Sequence, residues 1–167
     1  KLIHVEMVDT HGGSLRGICQ HESGNRDRDH TINKFLEWEN EIQLYNGYTF
    51  DNFASVIQSK KEEVRTPLSK LRESGKSVAG YGAPAKATTA LNFFGISKEI
   101  EFVVEDNKLK HNMFIPGVKI PIKNKSKIKD KKNILLVLAW NFYEDIKKNN
   151  KDLSDNFVNI KELESSN

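Results

Sequence analysis

The sequence predicts an α/β fold with a doubly wound, mostly parallel sheet flanked by helices. In the second half of the chain, apolar runs at residues 77–80, 100–104 and 134–139 alternate with helical patterns at residues 86–94 and 141–149. Continuous apolar runs of this length are typical of strands buried on both faces of a parallel sheet. A glycine-containing turn joins the first strand to its helix, as in nucleotide-binding βα units. We therefore predict a Rossmann-like core.

A pair of strands is predicted to precede this core. Residues 2–8 and 15–20 have strand-like patterns, and residues 11–14 between them form a glycine-rich turn. The polar residues 21–29 that follow are expected to form an exposed loop.

Two helices are predicted between the strand pair and the core. Apolar residues recur at helical spacing over residues 31–45, and Asn-Gly at residues 46–47 is expected to end that helix. A second helical pattern begins near Phe50 and is expected to kink or split at Pro67, because proline removes a backbone hydrogen bond from a helix. Gly75 is expected to stop it.

Two short segments complete the predicted sheet. Prolines bracket residues 118–120, which indicates a rigid loop and a short edge strand. Residues 157–160 are predicted to form a last strand, and residues 165–167 a tail that frays.

Composition and charge exclude several classes of protein. The chain has 167 residues, of which 37% are hydrophobic and 29% charged, and its net charge is +3. These values fit one globular domain with a buried core. There is no apolar run of membrane-spanning length and no signal peptide, so no membrane association is expected. Cys19 is the only cysteine, which rules out an internal disulfide and makes a cytoplasmic location the default prediction.

Neither nucleic acid nor a metal ion is expected to bind. The lysine-rich residues 123–132 contain no aromatic residue and are interrupted by Asp130, so we interpret them as a solvated loop. The five histidines and Cys19 show no compact spacing of metal ligands.

The turn at residues 80–86, Gly-Tyr-Gly-Ala-Pro-Ala-Lys, is the strongest candidate for a ligand site. Gly80 and Gly82 permit a tight turn and the close approach of a ligand, and Pro84 suits the first turn of a helix. Lys86 adds positive charge beside the bare N–H groups of the helix N-terminus, which favours a phosphate or a nucleotide. The alternative is an ordinary βα turn without a ligand.

Three other positions are candidates for binding or catalysis. Asp106 follows the second strand, where Rossmann-like domains hold a ribose hydroxyl, although a carboxylate there also caps its own loop. Trp140 follows the most apolar strand and is interpreted first as core packing, with Asn141 as the N-cap of the next helix. His11, beside two glycines, is either an acid–base group near pH 7 or a hydrogen-bonded turn residue.

Four sequence blocks together resemble a known family. They are residues 11–16 (His-Gly-Gly-Ser-Leu-Arg), 80–86, 106–107 with 116–122, and 138–142 (Leu-Ala-Trp-Asn-Phe). Their order and spacing resemble the C-terminal domain of S-adenosylmethionine-dependent sugar-nucleotide C-methyltransferases. Enzymes of that family methylate a carbon of a keto-deoxysugar linked to a nucleoside diphosphate. The resemblance covers nearly the whole chain.

The resemblance implies a place for this chain within a longer enzyme. In the family, a four-cysteine zinc segment comes first, a middle domain binds S-adenosylmethionine, and a C-terminal Rossmann-like domain helps to enclose the sugar nucleotide. Residues 1–10 would then be the end strand of the upstream cofactor domain. Residues 11–164 would be the C-terminal domain, with a strand and two helices at residues 11–75, the α/β core at residues 76–164, and a tail at residues 165–167.

The implied function is substrate binding within a methyltransferase. The family's Tyr-x-Glu-His motif, thought to supply the base, lies upstream and does not occur here, so this chain alone is expected to be inactive and to bind neither S-adenosylmethionine nor zinc. The residues implied to contact the nucleoside-diphosphate sugar are His11, Gly12, Gly13, Ser14, Arg16, Tyr81, Gly82, Ala83, Pro84, Lys86, Asp106, Asn107, Trp140 and Asn141. His11 is the one catalytic candidate. The alternative function is a non-catalytic module for nucleotide binding or oligomerisation.

Overall fold

The computed structural model describes residues 1–163, which form two compact units. One unit extends over Lys1–Val56, and the other begins at Ile57. The predicted fraying tail at residues 165–167, and residue 164 at the end of the predicted core, lie outside the described residues.

The first unit contains the predicted strand pair and a helix. Strand β1 (Leu2–Val8) pairs antiparallel with β2 (Ser14–Cys19), and a short 3₁₀ helix at Thr10–Gly12 connects them. Helix α1 (Thr31–Glu41) packs against β1. The apolar residues buried in this unit are Ile3, Val5 and Ile32.

The first helix is shorter than its sequence pattern predicts. It ends at Glu41, and the Asn-Gly pair that was expected to end it instead begins the next helix. The side chain of Asn46 accepts a hydrogen bond from the N–H of Tyr48 at 3.1 Å. Asparagine favours this position because its side-chain oxygen satisfies a free N–H of the first helical turn.

Helix α2 (Gly47–Glu73) is continuous through Pro67, so of the two predicted outcomes, a kink or a split, the split does not occur. A proline inside a helix costs about 3 kcal/mol. Val64 and Leu68, on either side of Pro67, are each buried in the core of the second unit, and this burial offsets the cost of the missing hydrogen bond. Gly75, with φ at +75°, follows the helix end as predicted.

The second unit is built on a five-stranded, all-parallel sheet. Its strands are β3 (Val78–Tyr81), β4 (Val103–Val104), β5 (Ile122–Lys123), β6 (Ile134–Val137) and β7 (Asn156–Asn159). They lie in the order β5-β4-β3-β6-β7. The first strand of this sheet along the chain, β3, therefore lies in the middle. The next two strands, β4 and β5, lie on one side of it and the last two, β6 and β7, on the other, which places a topological switch point between β3 and β6. This confirms the predicted fold class.

Helices cover both faces of this sheet. Helix α3 (Ala85–Phe94) packs with α2 on one face, and α4 (Tyr143–Asn149) packs on the other. Successive strand residues point to opposite faces, so Leu136 lies in the core beneath α3 and Leu135 in the core beneath α4. Among residues 1–163, no helix is long and apolar enough to cross a membrane.

The prediction of an edge strand at residues 118–120 was wrong. Gly117 and Lys119 both have positive φ values, 81° and 57°, and reverse the chain there. This reversal brings Phe114 opposite Pro121 in an isolated antiparallel bridge. The edge strand on this side of the sheet is β5, immediately after the reversal.

Candidate functional site at the carboxyl edge of the sheet

The carboxyl ends of β3, β4 and β6 surround an open pocket of about 330 Å³ at the switch point. It is lined by Tyr81, Gly82, Pro84, Glu105, Asp106, Lys110, Ala139, Phe142 and Ile146. The 80–86 turn, Asp106 and Trp140 each follow a strand of this parallel sheet, so all three lie at the same edge, as their positions after predicted strands indicate.

Two glycines serve different purposes at the end of β3. Gly82 has φ at +87°, and a Cβ atom there would lie 2.8 Å from the Cβ of Ala139. Gly82 therefore permits both the turn and the close approach of the β3 and β6 ends. Gly80 lies within β3, where a Cβ atom would come within 2.9 Å of Val103 and Leu138 side-chain atoms. Its role is strand packing rather than the turn that the sequence suggested.

The turn offers fewer free N–H groups than expected. The N–H of Gly82 donates to the Val104 carbonyl at 2.8 Å, and the N–H of Ala83 donates to Oε2 of Glu105 at 2.8 Å. Pro84 is the N-cap of α3, one position before the predicted first turn. The N–H groups of Ala85 and Lys86 have no acceptor among residues 1–163 and are the ones available to a ligand.

Glu105 is a site residue that sequence reasoning missed. Its carboxylate accepts hydrogen bonds from the N–H groups of Ala83 and Asn107, and lies 3.5 Å from Nζ of Lys110. Burial opposes ionisation, but these two N–H groups and the ammonium outweigh it, so the pKa of Glu105 lies below its usual value. Lys110 also donates to the Ala83 carbonyl at 2.9 Å. Glu105 and Lys110 thus hold the turn from both sides, and the only sequence signal was an acidic pair after β4.

Tyr81 and Asp106 form a second polar cluster. The Tyr81 hydroxyl donates to Oδ2 of Asp106 at 2.9 Å and lies 3.1 Å from Oδ1 of Asn150. Burial, followed by the Asp106 carboxylate, raises the pKa of Tyr81, so it stays a neutral donor. Nζ of Lys125 lies 3.2 Å from Oδ1 of Asp106. This lysine lies in the segment predicted to be a solvated loop, and it is exposed, so the ion pair with Asp106 is a surface contact of that loop.

Asn107 provides the loop cap that was considered for Asp106. Its side chain accepts a hydrogen bond from the N–H of Leu109 at 3.0 Å and begins a 3₁₀ helix at Lys108–Lys110. That helix carries Lys110 to the turn, so the cap helps to position the pocket.

Lys86 and Trp140 lie together at the side of α3. Nζ of Lys86 is 5.9 Å from the centroid of the Trp140 ring, and no carboxylate of residues 1–163 lies within 4 Å of it. Trp140 also packs against the core beneath α3, as interpreted from the sequence. Asn141 does not cap α4, because that helix begins at Tyr143 and Asn141 lies in the preceding 3₁₀ helix.

The block at residues 11–16 lies in the first unit. Residues 11–13 have positive φ values of 56°, 89° and 109°, with His11 in the left-handed region. The Ser14 hydroxyl donates to the backbone carbonyl of Thr10 at 2.9 Å. Arg16 donates to Oε1 of Glu6 at 2.6 Å. His11 is exposed to solvent.

Comparison with known proteins defines the class of this domain. The sequence profile of the C-methyltransferase C-terminal domain family matches residues 9–160, and the chain belongs to this family. The C-methyltransferase NovU of Streptomyces niveus is 27% identical to it over 158 residues. That alignment covers 93% of this chain but only 38% of NovU, so the chain spans well under half the length of this relative.

Proposed function

We propose that this chain is the substrate-binding C-terminal domain of an S-adenosylmethionine-dependent methyltransferase that acts on a nucleotide-linked keto-deoxysugar. The observation that carries the proposal is the pocket at the switch point, which is lined by both charged and apolar side chains, in a chain that belongs to the C-methyltransferase C-terminal domain family. Open α/β sheets bind their ligands outside the carboxyl ends of the strands, at such a point.

In this proposal the diphosphate lies at the α3 side of the pocket. The N–H groups of Ala85 and Lys86 point out of the helix N-terminus, where the helix dipole favours an anion, and the Lys86 ammonium adds a charge-assisted bond. At the β4 side, the carboxylates of Glu105 and Asp106 already pair with Lys110 and Lys125, so these lysines attract a phosphate less strongly than Lys86 does. We propose that these two carboxylates position the turn, Tyr81 and Lys125 rather than contact the phosphates.

S-adenosylmethionine is proposed to bind elsewhere in the full-length protein. An acid after the second strand holds a ribose hydroxyl in many nucleotide-binding domains. Here both carboxylate oxygens of Glu105 and both of Asp106 already interact with N–H, O–H or ammonium groups of this chain. In this proposal Asp106 therefore interacts with Tyr81 and Lys125 rather than with the ribose of S-adenosylmethionine, and zinc is likewise assigned to an upstream segment.

The proposed chemistry divides the work between parts of the protein. The cofactor, when bound, supplies the methyl group. Removal of a proton beside a ketone needs a positioned base and stabilisation of the developing enolate oxygen. We propose that the base lies upstream of this chain and that this domain holds the sugar nucleotide in place. Within this chain, His11 is the one catalytic candidate. The cytoplasmic location predicted from the sequence remains a prediction.

Activity of the full-length protein tests this function. The protein is incubated with S-adenosylmethionine and a panel of nucleoside-diphosphate keto-deoxysugars, and methylated sugar is detected by mass spectrometry. Lys86→Ala is expected to lower kcat/KM about tenfold or more, because one charge-assisted bond contributes about 1.5–3 kcal/mol. The control is Lys127→Ala, an exposed lysine in another segment.

Three other outcomes would count against the proposal. Nucleotide-sugar binding without methylation would favour the non-catalytic module, and an unchanged kcat/KM in Lys86→Ala would leave Lys86 a solvated side chain. One-to-one, micromolar binding of S-adenosylmethionine to this 167-residue chain alone would contradict the assignment of the cofactor to an upstream domain.

A further inference from the structure

The first unit exposes an unusual share of apolar side chains. Of the 17 large hydrophobic residues exposed among residues 1–163, 12 lie within residues 1–56. The same unit contributes only three of the 27 buried hydrophobic residues. Exposed apolar residues in clusters of this kind mark interaction surfaces, whereas single ones are ordinary.

Some of these side chains line a groove between β1 and α1. The groove has a volume of about 590 Å³, and its apolar walls come from Val5, Met7, Phe35 and Trp38. Strand and helix both contribute, so the groove is a feature of the folded unit rather than of one loop.

Helix α2 carries an apolar stripe whose two halves differ. Phe53 follows Phe50 by three residues, and the same helical spacing continues to Val64 and Leu68. Val64 and Leu68 are each 1% exposed, whereas Phe53 is 63% exposed. The buried half packs on a sheet. The exposed half has the same apolar pattern, which is typical of a helix face that packs against another element.

The strand pair also exposes one of its two strands. A two-stranded sheet needs a covering helix to be stable in water, and α1 packs against β1. All of β2 except Ser14 is exposed. In addition, the family match begins at residue 9, after β1 has ended.

We propose that the polypeptide preceding this chain in the full-length protein docks onto the exposed apolar residues of the first unit, with the β1–α1 groove and the first half of α2 as its main contacts. The matched family is a C-terminal domain, and more than half of NovU lies outside the alignment, so such proteins carry a large preceding segment. A covalently joined segment also binds at high effective concentration. This inference rests on the proposed function, in which an upstream domain is present.

Hydroxyl-radical footprinting of the full-length protein tests the docking, because it measures side-chain exposure without requiring activity. The chain offers two matched pairs: Met7 and Met113 are 58% and 55% exposed, and Phe53 and Phe114 are 63% and 61% exposed. We expect Met7 and Phe53 to be oxidised several-fold more slowly than Met113 and Phe114. Equal rates within each pair would overturn the inference, even in a protein that methylates its substrate.

The identity of the occupant is tested by dilution and by cross-linking. Protection by a preceding segment is independent of protein concentration, whereas protection that disappears as a dimer dissociates would assign the surface to a second copy and overturn the proposal. A photo-crosslinking amino acid in place of Trp38 is expected to capture peptides from before Lys1 within one polypeptide, and the same probe at Phe114 is the control. Protection and capture without methyltransferase activity would contradict the proposed function alone.

Discussion

The two units of this chain bury their apolar residues to very different degrees. In the second unit, alternate residues of β6 enter separate cores on the two faces of the sheet. In the first unit, Trp38 and Phe53 follow equally regular helical patterns and remain exposed. The difference teaches that an apolar stripe predicts a helix with a packing face but does not identify its partner. The docking of a preceding segment that we propose would cover the exposed stripe.

The largest expected difference is between two alanine substitutions, one of a buried apolar residue in the second unit and one of an exposed apolar residue in the first. Leu136→Ala removes a fully buried side chain from a central strand and is expected to lower the free energy of unfolding of this chain by about 2–5 kcal/mol. Phe53→Ala is expected to change it by less than about 0.5 kcal/mol, as for other exposed positions. Urea unfolding monitored by circular dichroism measures both. A loss in Phe53→Ala equal to that in Leu136→Ala would mean that the first unit has a packed core of its own.

Two glycines give the next largest contrast. Gly82→Ala is expected to destabilise the chain by about 1–3 kcal/mol, since its backbone is left-handed and its Cβ would meet Ala139. At Gly47, the first residue of α2, an added Cβ would meet no other atom within 4 Å. Gly47→Ala is therefore expected to leave stability unchanged or raise it by up to about 1 kcal/mol. Thermal unfolding of the two variants measures this difference in stability. Equal destabilisation would contradict the close approach of β3 and β6.

A pair of tyrosines tests the polar network of the pocket. Tyr81→Phe removes the hydroxyl that donates to Asp106 and is expected to cost about 1 kcal/mol. Tyr45, in the first unit, donates to Oε2 of Glu39 at 2.7 Å but is exposed, so Tyr45→Phe is expected to cause no measurable change. Chemical denaturation at neutral pH compares them. If Tyr81→Phe leaves the free energy of unfolding unchanged, the network does not stabilise the sheet edge.

The smallest predicted effect is a pH dependence from Glu105. Its pKa is lowered from the ordinary value of 4.5 in the folded protein, so the folded state favours the ionised form. That stability is present above the ordinary pKa and is lost as the pH falls through the folded value. Glu105→Gln is therefore expected to be less stable than the wild type at pH 7 and to lose less stability on acidification. The midpoints of urea unfolding at pH 7 and pH 3 measure this difference, and Glu101→Gln, at an exposed position, is the control. If wild type and Glu105→Gln lose the same stability between the two pH values, the role of Glu105 is contradicted.

The sequence located the pocket more reliably than its internal contacts. Carboxyl ends of neighbouring parallel strands meet at one edge, so Gly82, Asp106 and Trp140 were predictable neighbours. Lys125 and Asn150 reach Asp106 and Tyr81 from distant parts of the sequence, and no local pattern signals such contacts. The docking of individual side chains depends on tertiary packing that periodicity does not contain.

Local rules failed where two favourable choices competed. Proline disfavours a helix interior, yet burial on both sides kept α2 intact at Pro67. Asn-Gly is suited to either end of a helix, and at residues 46–47 the N-terminal use prevailed. In both cases the deciding energy comes from neighbours outside the motif.

A crystal structure of the full-length protein with a nucleoside-diphosphate sugar would test the proposed role of the pocket most directly. We expect the diphosphate oxygens to lie within hydrogen-bond distance of Nζ of Lys86 or of the N–H groups of Ala85 and Lys86, with the pocket between β3 and β6 occupied. A sugar nucleotide bound with none of its atoms in contact with this pocket would contradict the assignment of substrate binding to the carboxyl edge of the sheet.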